Sequence, residues 1–86
     1  MLLSQLPNGS HALVTGFASE VPAVGPQTLL RLEELGFIAG EPVRMLRRGP
    51  GGREPLAVQV GETFFALRLV EAQCIEVESA PVEAAA

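Results

Sequence analysis

The sequence predicts a mainly β domain, a small and partly open barrel of short strands with one main helix inserted after the first strand. Three observations carry this. Short segments alternate apolar and polar side chains, the period of a half-buried strand. Glycine- and proline-rich turns separate those segments. A single stretch, 28–35, instead repeats its leucines at helical spacing and is followed by glycine. Closing the strands into a barrel removes vulnerable sheet edges.

The elements follow in chain order. Met1 to Gly9 is a lead-in with a turn at Pro7-Asn8-Gly9. His11 to Phe17 is a strand in which Gly16 marks a bulge or close backbone approach. Ala18 to Gln27 is a connection that carries Val21, Pro22, Ala23 and Val24. The main helix lies between Pro26 and Leu35, with Leu29, Leu32 and Leu35 on one face. Gly36 then takes the left-handed position after the helix, and Phe37 meets Leu32 in a Schellman motif. Pro42 to Arg48 alternates, with Val43 and Met45 on one face and Arg44 and Leu46 on the other. A turn at 49–52 leads to Leu56–Val60, and Gly61-Glu62 forms a two-residue hairpin into Thr63–Leu67. One helical turn from Leu69 to Gln73 precedes a closing strand, Cys74 to Glu78. Residues 1–78 make one domain, and 79–86 read as a flexible C-terminal tail.

Composition excludes several function classes. The chain has 86 residues, six basic and all Arg, ten acidic and all Glu, for a net charge of -4. That balance disfavours neutralising nucleic-acid phosphates or an anionic membrane surface. Without Lys there is no Walker A loop and no Schiff base. With no Asp and one His, a catalytic triad has few components, and no enzyme is expected. One Cys permits no intrachain disulfide, which fits a reducing compartment. The N-terminal residues lack a basic n-region and a long apolar run, and no stretch approaches the ~20 residues of a membrane span. The expected location is the cytoplasm, without membrane insertion.

Few residues stand apart from the core. Leu30 and Glu34 face opposite to Leu29, Leu32 and Leu35. Leu30 is either an ordinary exposed leucine or, with Val21 and Val24 upstream, part of a docking or self-association patch. Arg44, Arg47, Arg48 and Arg53 gather four of six positive charges around one hairpin. They read either as solvated edge charges or as a contact for an acidic or nucleotide-bearing partner. Arg68 and Glu71 are assigned to structure. His11 and Cys74 do not have the spacing of a closed metal site, which needs four ligands. The expectation is no required cofactor, an inert buried thiol at Cys74, and at most weak divalent-metal binding at His11 with Glu carboxylates.

The residues also resemble a known family. Leu3-Ser4-Gln5-Leu6 followed by Gly9, then Ala12-x-Val14-x-Gly16-Phe17, is similar to the opening of FeoA proteins. Arg31-Leu32-x-x-Leu35-Gly36-Phe37-x-x-Gly40-x-x-Val43 resembles their centre. Ala66-Leu67-Arg68-x-x-Glu71-Ala72-x-x-Ile75-Glu76-Val77 resembles their ending. The likeness runs from Leu3 to Glu78 and departs at Val21 to Val24, where the family is more polar. It implies an SH3-like barrel that acts in bacterial ferrous iron uptake. Its implied partner is the cytoplasmic domain of the transporter FeoB, whose GTPase or transport activity it would modulate. A second copy of the chain is a further candidate partner. The alternative is a small-barrel nucleic-acid-binding module, against which the acidic charge and the scarcity of stacking residues count.

Overall fold

The computed structural model describes residues 1–18 and 25–79. Val21, Val24 and most of the connection before the helix lie outside the described residues, as do residues 80–86 of the expected tail; Ser79, its expected first residue, instead ends the last strand, paired with Ala12. The strands are β1 (His11–Phe17), β2 (Pro42–Arg48), β3 (Leu56–Val60), β4 (Thr63–Leu67) and β5 (Ile75–Ser79). They form one five-stranded sheet in the order β4-β3-β2-β1-β5, with every neighbouring pair antiparallel. The main helix, α1 (Pro26–Leu35), follows β1, and one turn, α2 (Leu69–Ala72), precedes β5. The fold is therefore the mainly β architecture with one main helix that the alternation predicts. Among the described residues, no helix is long and apolar enough to cross a membrane.

The core forms because the two-residue period turns one side of each strand inward. Ala12 and Val14 of β1, Val43 and Met45 of β2, Val58 and Val60 of β3, and Ile75 and Val77 of β5 are all buried. α1 adds Leu32, fully buried, with Leu29 and Leu35 packed against the cluster. The helix ends as a Schellman motif: Gly36 N–H donates to the Glu33 carbonyl (3.0 Å) and Phe37 N–H to the Leu32 carbonyl (3.1 Å). Gly36 has φ 117°, which glycine adopts without a Cβ penalty. Phe37, buried beside Leu32, packs a tilted ring against Phe65 at 5.9 Å between centroids.

The N-terminal segment differs from the expected lead-in. Leu3–Gln5 forms a 3-10 turn, and Leu3 and Leu6 are both fully buried. Their spacing places both leucines inward before Pro7 ends the turn. The adjoining Leu2 bridges Glu76, and the Val77 N–H donates to the Met1 carbonyl (2.8 Å), so the outer side of β5 is covered. Among the described residues, β4 pairs only with β3.

Candidate functional site

Strand register assembles a mixed patch on the outer side of the sheet. His11 of β1 stands opposite Arg44 of β2, Arg44 opposite Gln59 of β3, and Gln59 opposite Phe64 of β4. A parallel row holds Arg47, Ala57 and Ala66. His11, Arg44, Gln59, Ala57 and Ala66 alternate with buried core residues and Phe64 with the half-buried Phe65, so these residues face away from the core. Phe64 is the most exposed large apolar side chain described, at 64%. His11, Pro42, Arg44, Gln59 and Gly61 line a shallow depression in this face.

A bulge decides which arginines belong to the patch. Strict alternation along β2 would turn Arg47 inward with Val43 and Met45. The register instead shifts between Met45 and Arg47, so Leu46 is the extra residue and Arg47 pairs with Ala57. Arg47 therefore joins Arg44 on the outer face. Arg48 next pairs with Leu56, which is fully buried, and turns the other way. Its Nη2 donates to the carbonyls of Ser4 (2.6 Å) and Leu6 (2.9 Å), holding the N-terminal turn against the barrel. Arg53 lies exposed on the β2–β3 turn, in a hollow it shares with Glu54, Leu69 and Gln73. The hairpin cluster read from sequence thus divides three ways.

Among the described residues, no carboxylate pairs with the arginines of the outer face. Among the described residues the one salt bridge joins Arg31 to Glu71 (3.9 Å), and none involves Arg44, Arg47 or Arg53. Glu71 also accepts the Arg68 backbone N–H (2.8 Å), capping α2, which gives both residues structural roles. Leu30, 54% exposed, projects from α1 while Leu32 is buried. It lies on a different element from the arginine patch.

Metal-binding chemistry is thin here. Among the described residues no three His, Cys or Glu side chains converge on a common point. The nearest cross-strand neighbour of His11 is Arg44, a like charge to any bound cation. Cys74 is buried, and its thiol donates to the Val70 carbonyl (3.1 Å). Burial, and secondarily Glu71, raises its pKa, which keeps it protonated and unreactive.

Phe64 is the residue of the patch that sequence reading missed. The signal was present in Phe64-Phe65: adjacent strand residues face opposite sides, so one of the two must point outward.

Comparison with known proteins bears on this arrangement. The FeoA domain model matches residues 1–79. The structure resembles that of Stenotrophomonas maltophilia FeoA, at 46% identity over 91% of this chain and 89% of that one, with a TM-score of 0.78. That protein was crystallised with zinc and is described as a procaryotic SH3-domain protein and a candidate ferrous iron transport activating factor. Chlorobium tepidum FeoA is 32% identical over 94% of this chain and 71% of that one, with a TM-score of 0.80. The iron(II) transport protein A of Clostridium thermocellum is 30% identical over 93% and 46%, with a TM-score of 0.74. No curated protein matches the chain in a sequence search.

Proposed function

The chain belongs to the FeoA family and has its SH3-like fold, and from that premise we propose that it is a non-enzymatic accessory protein of bacterial ferrous iron uptake. It acts in the cytoplasm by binding the cytoplasmic domain of FeoB. The observation that carries the docking reading is the outer face itself. Arg44 and Arg47 of β2 stand there without carboxylate partners among the described residues, on the same face as the exposed Phe64 of β4 two strands away, on a chain of net charge -4. An exposed aromatic side chain that shares a sheet face with guanidinium groups suits a protein interface, where aromatics and Arg carry much of the binding energy. The guanidiniums would steer encounter with an acidic or nucleotide-bearing surface.

Binding alone modulates a GTPase or gate only when affinity differs between its two states. The reading therefore requires tighter binding to one nucleotide state of FeoB than to the other. Divalent cations have a minor role in it, held weakly at the surface through His11 and Glu carboxylates, not as a resident cofactor. The test is co-purification of this chain with the isolated cytoplasmic domain of FeoB, loaded in turn with GDP and a non-hydrolysable GTP analogue. The reading expects capture, stronger in one state. No capture in either state would remove it.

A further inference from the structure

The side of β4 that faces away from β3 presents backbone groups without partners among the described residues. Val60 and Thr63 flank the two-residue turn Gly61-Glu62 and so form the hydrogen-bonded pair that closes the hairpin. Gly61 supplies the positive φ (58°) that such a turn needs at its first position. The bond from Gly61 N–H to the Pro42 carbonyl (3.3 Å) fixes the same parity from the other side of β3. Thr63, Phe65 and Leu67 therefore bond toward β3, while the N–H and C=O groups of Phe64 and Ala66 point outward. No backbone hydrogen bond among the described residues uses these groups. Natural sheets usually cover or charge such an edge. Here it carries the exposed Phe64.

We propose that this edge pairs antiparallel with β4 of a second copy of the chain. The identity of the occupant comes from self-complementarity. A two-fold axis through Phe65 sets Phe64 opposite Ala66 of the second copy, and Ala66 opposite its Phe64. Each of these residues directs both backbone groups outward, so each pair exchanges reciprocal N–H···O=C bonds. Side chains agree with that register: the large Phe64 ring lies over the small Ala66. One step further out, Glu62 of each copy meets Arg68 of the other, and both side chains are exposed. Opposite charges directly across an antiparallel pair stabilise it, and like charges oppose it. The backbone pairing stops there, because the Arg68 N–H is already bonded to Glu71 Oε1. A closed two-fold contact of this kind makes a dimer and no fibre. Its short length makes the dimer a weak one that depends on concentration.

The register can be tested by charge exchange. Sedimentation velocity over a concentration series reads the dimer in E62R, R68E, the double variant E62R/R68E, and an equimolar mixture of the two single variants. By symmetry each single variant converts both attractive cross-pairs into repulsive ones, which should weaken the dimer roughly tenfold or more. The double variant and the mixture restore opposite charges and should recover association. A66P removes the outward N–H without touching the bonds to β3, and should abolish the dimer. Circular dichroism and melting report folding; if R68E does not fold, E62R and A66P decide between them. A wild-type monomer at every concentration overturns the proposal. So does a dimer indifferent to A66P, or a mixture that associates no better than its components.

Discussion

Replacing Arg48 with alanine should unfold the N-terminal turn from the barrel and cost the protein much of its stability. The Arg48 guanidinium donates to two carbonyls, those of Ser4 and Leu6, from a half-buried position. A hydrogen bond to a charged group contributes about 1.5–3 kcal/mol, and partial exposure puts these at the low end because water replaces some of what is lost. The turn they hold carries Leu3 and Leu6, both fully buried, so fraying it also uncovers core surface. We expect Arg48→Ala to destabilise by about 2–3 kcal/mol, which for a domain of this size lowers Tm by about 10–20 °C. Arg47→Ala, one residue away but exposed and without a partner among the described residues, should change stability by no more than about 0.5 kcal/mol. Urea unfolding gives the two values. Hydrogen exchange locates the damage, since the Gln5 and Leu6 amides donate within the turn to Leu2 and Leu3. Equal effects from the two alanines, or unchanged protection at Leu6, would refute the inward assignment of Arg48.

Two further outcomes test the fold. Gly36→Val places a β-branched residue at φ 117° and sets its Cβ 3.2 Å from Val60 Cγ1, so it should cost about 2–4 kcal/mol, against about 1–2 for Gly40→Ala, where φ is also positive but the space is open; equal unfolding midpoints for the two would contradict the crowding. The raised pKa of Cys74 means that the unfolded thiol ionises first, so its contribution to stability is complete below the unfolded pKa and is lost as pH rises from there through the raised folded value; unfolding measured from pH 7 to 10 should show that decline in wild type and a shallower one in Cys74→Ala.

Legibility in the sequence followed how local each determinant is. The end of α1 could be read directly, because the Schellman motif involves only consecutive residues, Leu32 to Phe37. The β3–β4 hairpin was readable for the same reason, since its turn fixes its register. What escaped depends on partners distant in sequence. Leu3 and Leu6 read as a lead-in because nothing local shows that Arg48 will hold their turn closed. The bulge at Leu46 leaves no mark in the alternation, yet it sends Arg47 outward and Arg48 inward. An arginine cluster that looked like one surface is therefore a patch, a clamp and a separate turn residue. The other apolar candidate, Leu30, is exposed as its helical position required, while Val21 and Val24 lie outside the described residues.

The central claim is that the outer face bearing Arg44, Arg47 and Phe64 docks on the cytoplasmic domain of FeoB. Binding kinetics to that domain at two salt concentrations test it most directly, with R44E/R47E compared against wild type and L30E. The account predicts that R44E/R47E associates at least about tenfold more slowly and loses most of its salt dependence, while its circular dichroism spectrum is unchanged. Wild-type kinetics in R44E/R47E, with the loss appearing in L30E instead, would contradict it and move the docking surface to α1.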